Sequence, residues 1–190
     1  MFYLIFIIAA TFVVAVVNYL VDGVMTLEAF ALTMLFASVG TLSAFIIDGI
    51  LAFIVRRLPN RWFSPDVKLF SVKEKERNLY RRLKIGAWKD YVPELGGFTG
   101  FHKNKLETSS DARYLARFLM ESNYGVLGHI AGAIFGFAIL FIPYVGRPSI
   151  ALPIAIINAI LSILPTMILR YHTPPLQRLY RRALKKEKRS

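Results

Sequence analysis

The chain has 190 residues, 55% hydrophobic and only 19% charged, too apolar for a soluble domain, in which about a quarter of residues carry charge. A length near that of one domain excludes a membrane bundle joined to a large independent soluble domain, and the lack of cysteine excludes disulfides, thiolate metal sites, a thiol nucleophile and S-palmitoylation. A net charge of +12 on so apolar a chain points to topology signals and anionic headgroups before nucleic acid.

Residues Phe2 to Val21 contain no charge, and at about 1.5 Å per residue they cross about 30 Å of hydrocarbon. A cleaved signal peptide needs a positive segment ahead of a shorter apolar core; here the apolar run begins at Phe2, so a retained span is expected. A second span runs from about Ala29 to Val55, interrupted only by Asp48, and ends in Arg56-Arg57-Leu58-Pro59, where basic residues mark a cytoplasmic boundary and the proline favours termination. The third and fourth, Gly125 to Gly146 and Pro148 to Leu169, flank the breaker-rich turn Pro143-Tyr144-Val145-Gly146-Arg147-Pro148.

Residues 56–121 carry 15 Lys and Arg against 8 Asp and Glu, and residues 170–190 carry 8 against 1, so each is net +7, whereas the two outer turns hold Asp22, Glu28 and Arg147. Because basic residues collect on the cytoplasmic side of short loops, both termini and the middle segment are expected to face the cytoplasm. The expected fold is an all-α integral membrane protein: four transmembrane helices in two hairpins (1–57 and 124–170), a membrane-surface segment (58–123) between them, and a basic tail (171–190).

The middle segment is too long for a simple connection. Its aromatic density, with Trp62, Phe63, Trp88 and Tyr91 among the rings, fits a surface-lying element. Leu79, Tyr80 and Leu83 at 3/4 spacing predict an interfacial helix over Val72 to Ile85. A further helix is predicted to open at Ser109, Ser110 or Asp111, all good N-cap types.

Within this segment Glu76, Tyr80, Leu83-Lys84-Ile85, Trp88-Lys89-Asp90, Pro93 and Gly96-Gly97-Phe98 resemble the pattern of the glycosyl-4,4'-diaponeurosporenoate acyltransferase family, bacterial membrane proteins of staphylococcal carotenoid synthesis. Asp111, Tyr114-Leu115, Arg117-Phe118, Glu121 and His129 look like the family's stretch in which an acidic residue precedes a membrane-embedded histidine by eight positions. Leu164-Pro165, Arg170-Tyr171 and Pro174 are similar to its closing signatures. The likeness covers roughly Leu58 to Arg178. It departs at Val126, where a second acidic residue is usual, and at His172 and Thr173, which replace an Asn and an Arg. The resemblance implies a multi-pass protein of the bacterial cell membrane that moves an acyl group from a cytoplasmic thioester, acyl-CoA or acyl carrier protein, to a hydroxyl on a lipid or glycosylated lipid. No tightly bound cofactor is implied.

His129 is the candidate general base, since imidazole titrates near neutrality and acyl transfer to a hydroxyl requires proton removal; a packing histidine bonded to another helix is the alternative. Glu121, Gly125 and His129 follow at i, i+4, i+8, so Glu121 is a candidate to assist the imidazole across about 12 Å of helical rise, or else to pair with Arg117. Asp48, inside the second span, is a third candidate, with helix packing or snorkelling as its alternative. Lys84, Lys89, Arg117 and Arg170 suit the phosphates of the donor or of lipids, unless they are ordinary positive-inside charge, and Trp88 is an anchor at headgroup level. His102 and Glu107 form an H-x4-E spacing in which glutamate stands where glycerolipid acyltransferases have aspartate. The basic stretch from Arg178 to Arg189 suits anionic lipid better than RNA, being adjacent to a span. A non-catalytic lipid-binding scaffold or partner-recruiting subunit is the rival reading, in which Asp48, Glu121 and His129 only hold helices together.

Overall fold

The computed structural model describes residues 2–92, 111–143 and 145–189. Pro93, Gly96-Gly97-Phe98, His102, Glu107, Ser109, Ser110 and Tyr144 lie outside them. The described residues are helical, without a strand: α1 (Phe2–Asp22), α2 (Leu27–Arg57), short 3-10 turns at Asn60–Phe63 and Lys68–Phe70, α3 (Glu74–Arg82), α4 (Ile85–Trp88), a 3-10 turn at Lys89–Tyr91, α5 (Ala112–Phe135) running into a 3-10 segment (Gly136–Phe141), and α6 (Pro148–Glu187). Four helices are long and apolar enough to cross a membrane, beginning at Leu4, Leu27, Ala112 and Pro148.

Local chemistry sets the boundaries. α1 stops where Gly23 takes φ +70°, the left-handed conformation that commonly ends a helix. Thr26 then opens α2, its hydroxyl accepting the Ala29 N–H at 3.2 Å, and Arg56 and Arg57 close it in the last turn, where cations meet the negative end of the helix dipole. Of the predicted starts for the next long helix, Asp111 is the one seen to cap: its Oδ1 accepts the Arg113 N–H at 2.8 Å.

One sequence expectation is corrected, and two elements run longer than their predicted spans. Residues 72–85 do not form one helix, because Lys84 adopts φ 51°, ψ 41° and separates α3 from α4; Tyr80 is buried, whereas Leu79 and Leu83 are exposed. The helix predicted near Asp111 and the third span are one continuous element, α5, which tightens to 3-10 geometry at Gly136. α6 continues beyond the predicted span end at Leu169, through Pro174 and Pro175, to Glu187; just before those prolines Thr173 Oγ1 donates to the Leu169 carbonyl at 3.0 Å.

The chain divides into two compact units, Met1–Phe53 with Gly128–Ile163, and Ile54–Leu127 with Leu164–Ser190. The first has a core of small and branched residues, including Val14, Ala15, Ala37, Ala44, Ile150 and Ala155; small residues let apolar helices approach closely where lipid offers no hydrophobic driving force. Polar contacts fix the packing: the Thr11 and Thr41 hydroxyls lie 2.9 Å apart, and buried Asn18 donates to the carbonyls of Val14 and Ser149 at 2.8 and 2.9 Å. The turn before α6 requires Gly146, where a Cβ would come within 2.3 Å of the Leu140 carbonyl oxygen.

The second unit is built on aromatic rings. Phe63, 1% exposed, stacks on Tyr124 at 3.8 Å and meets Phe70 at 5.7 Å. Asn123 Nδ2 donates to the Phe63 carbonyl at 2.9 Å, and Tyr124 donates to Asn60 Oδ1 at 2.8 Å. Tyr80, Ile85 and Ile168 form a second cluster, and the start of α5 packs on the end of α6 through Ala112, Leu115 and Ala183.

Candidate functional site

Within the first unit, polar side chains converge on the glycines of α5. Asp48, half-buried on α2, sits so close to Gly132 that a Cβ there would lie 2.7 Å from its Oδ1. Asn158 Nδ2 on α6 donates to the same Oδ1 at 3.4 Å and approaches the Gly132 carbonyl at 3.5 Å. A Cβ on Gly136 would meet Asn158 Nδ2 at 2.5 Å, and one on Gly132 would meet Ser162 Oγ at 3.4 Å. Both glycines thus create room for polar groups on neighbouring helices. His129, half-buried, precedes Gly132 by three residues and Gly136 by seven, so helical periodicity puts it on the same stripe. Asn158 and Ser162 were not singled out in the sequence; their i, i+4 spacing in an otherwise apolar helix was the available signal. An apolar cleft in this unit is lined by Ile7, Thr11, Thr41, Ala44, Ile154 and Asn158.

The second unit holds the other candidates. Arg170 Nε donates to Glu76 Oε1, and its Nη2 donates to Oε2 at 2.8 Å, while the Tyr80 hydroxyl also donates to Glu76 Oε1. The forked guanidinium matches the carboxylate bidentately. Burial works to raise the Glu76 pKa, but the hydrogen bonds from Arg170 and Tyr80 and the Arg170 charge prevail and hold it below the usual carboxylate value. The Tyr80 hydroxyl is pushed upward by burial and by its bond to the Glu76 carboxylate. Arg170, a candidate phosphate ligand, is therefore engaged by a carboxylate. Glu76 and Tyr80 stand at i, i+4, but nothing local to either named Arg170 as the partner.

Glu121 pairs with Arg56 Nη1 at 2.5 Å rather than with Arg117, and the guanidinium of Arg56 lies 5.5 Å from the Tyr124 ring centroid. Arg117 is exposed on α5 and Lys84 is exposed at the α3–α4 junction. Trp88 Nε1 donates to the Leu83 carbonyl at 2.9 Å, closing the turn that Lys84 opens, and Lys89 pairs with adjacent Asp90 at 2.8 Å. Tyr171 places its hydroxyl 3.2 Å from where a Cβ on Gly86 would stand.

Comparison with known families gives a match over residues 59–182, well over half of the chain, to the model described as glycosyl-4,4'-diaponeurosporenoate acyltransferase. The chain belongs to that family. The matched region contains Glu76, Tyr80, Glu121, His129, Asn158 and Arg170, whereas Asp48 and Arg56 precede it. The family's name is that of an acyltransferase. No curated protein and no solved structure matches the chain.

Proposed function

We propose that this chain is a membrane acyltransferase that moves a fatty acyl group from a cytoplasmic thioester to a hydroxyl of a lipid or glycosylated lipid. The observation that carries the reading is the convergence of Asp48, Asn158 and Ser162 on Gly132, with His129 on the same stripe of α5, in a chain of this family. Polar groups among membrane helices are costly and functional by default.

In this reading α1 with α2 and α5 with α6 are transmembrane hairpins, both termini are cytoplasmic, and the segment between the hairpins lies at the membrane surface. His129 takes the proton of the acceptor hydroxyl, whose oxygen attacks the thioester carbonyl. The tetrahedral intermediate collapses, expelling the thiolate, and the imidazolium returns the proton to it. Asp48, held by Asn158, completes the polar cluster beside Gly132. Hydrogen-bond donors at the cytoplasmic side, among them Lys84, Lys89 and Arg117, meet the anionic end of the donor, and Trp88 anchors their segment. Glu121, tied to Arg56, fixes α5 to the end of α2 within the second unit.

The test is mass spectrometry of lipids from cells expressing the wild-type chain or His129→Ala at matched membrane levels. A species heavier by one acyl unit, present only with wild type, is expected. Equal amounts of that species with both forms would remove His129 from the chemistry, and co-purification of the same unmodified lipid with both forms would favour a lipid-binding scaffold.

A further inference from the structure

The end of α6 is two-faced. Leu176, Leu179, Tyr180 and Ala183 line one side and pack on Ala112, Leu115, Phe118 and Leu119 of α5. Arg178, Arg181, Arg182 and Lys185 are all exposed, and at about 100° per residue they fall on the opposite side; Lys188 and Arg189, also exposed, follow just past the helix end at Glu187. Among the described residues, Glu187 Oε1 accepts the Ala112 N–H at 3.3 Å on the packed side, and Asp111 caps α5. The family match ends at residue 182, so Lys185, Lys188 and Arg189 belong to this chain beyond the matched region.

An amphipathic helix that binds a bilayer does so by burying its apolar face among acyl chains. Here that face is covered by α5, so the helix has only charge to offer. Residues 148–169 already supply the roughly 30 Å that hydrocarbon requires, and the helix continues to Glu187; the basic residues therefore lie beyond the hydrocarbon. They recur over about three turns, matching the length of one acidic helix on a protein partner.

We infer that this basic strip docks an acidic carrier protein that delivers the acyl thioester. The inference rests on the proposed acyl transfer and deepens it by choosing a protein-borne donor over a free coenzyme thioester.

The experiment uses the full chain in nanodiscs of purely zwitterionic phosphatidylcholine, with bacterial apo acyl carrier protein as probe, so that docking is read without chemistry. Binding is expected for wild type and for His129→Ala alike, falling about tenfold or more in Arg181→Glu/Lys185→Glu/Lys188→Glu and on raising salt from about 50 to about 300 mM. The triple variant should retain transfer from acyl-CoA while losing transfer from the acyl carrier. No binding by wild type, or equal binding by the triple variant, would overturn the inference. So would phosphatidylglycerol enrichment around wild type but not the triple variant in parallel nanodiscs that also contain phosphatidylglycerol, without any carrier binding by wild type, which would assign the strip to headgroups. A carrier that docks on the strip with no acyl chain then moved would refute the acyltransferase reading while supporting the docking strip.

Discussion

The carboxylate of Asp48 occupies the space that a side chain on residue 132 would need, with its Oδ1 only 2.7 Å from the position of a Cβ there. Glycine at 132 is thus a condition for Asp48 standing where it does. Gly132→Ala should gain up to about 1 kcal/mol in helix propensity and lose about 1–3 kcal/mol to overpacking, a net loss of stability in detergent of up to about 2 kcal/mol. The carboxylate must move, and its bond to Asn158 with it, so acyl-lipid product should fall about tenfold or more, on the scale of misplaced catalytic groups. A thermal unfolding scan beside the lipid mass spectrum separates the two effects.

The pairing of Glu76 with Arg170 is mostly shielded from solvent, with side-chain exposures of 23% and 17%. Removing one partner strands the other, so Glu76→Gln or Arg170→Met alone should each cost about 2–4 kcal/mol. The double variant should cost less than their sum by about 1–3 kcal/mol. Unfolding measured on all four proteins gives the coupling directly.

The same pair makes the second unit sensitive to acid. The Glu76 carboxyl ionises below its ordinary value of 4.5 in the folded chain, so the unfolded chain binds the proton more readily and stability falls with pH. The contribution is complete above pH 4.5 and is lost as pH drops through the lower folded value. Arg170→Met should shrink that acid-linked loss, because burial raises the Glu76 pKa and the guanidinium that overcame it is gone. Unfolding midpoints followed from about pH 7 to about pH 3 would check this.

The ion pair of Arg56 with Glu121 is more open, with exposures of 50% and 22%, and exposed pairs contribute about 0–1 kcal/mol. Glu121→Gln should therefore lower stability by under about 1 kcal/mol and leave acyl-lipid product within about threefold of wild type. A collapse of product with stability intact would instead assign Glu121 to the chemistry. Phe63→Ala should behave oppositely, costing about 3–5 kcal/mol as a buried ring is lost, with the unfolding midpoint as its readout.

Hydropathy made the four long helices legible, because about 20 uncharged residues have few other uses. Local chemistry made Asp111 legible as a cap. What escaped was either a backbone choice or a long-range pairing. Lys84 gives no sign in sequence that it will take the left-handed conformation usually left to glycine, and so the break between α3 and α4 was read as continuous helix. The predicted span closes at Leu169, yet the helix runs on past Pro174 and Pro175 to Glu187, where the packing of Leu176 and Ala183 on α5 outweighs the low propensity of proline. Arg170 offered charge but no address: its partner lies 94 residues away. The stripe of Gly125, His129, Gly132 and Gly136 was half visible, since the spacing from Glu121 to His129 drew attention to the helix while the glycines spoke only once their neighbours were known.

Asn18 is buried, and its amide reaches the carbonyl of Ser149, 131 residues on, while Thr11 meets Thr41 one helix over. The opening helix is therefore keyed to specific places on α2 and at the start of α6. Polyleucine of equal length would fill the same thickness of lipid and match none of those places. Interchangeability, the ordinary property of a greasy membrane tether, is what this helix gives up, and its azimuth becomes as much a part of the bundle as its length.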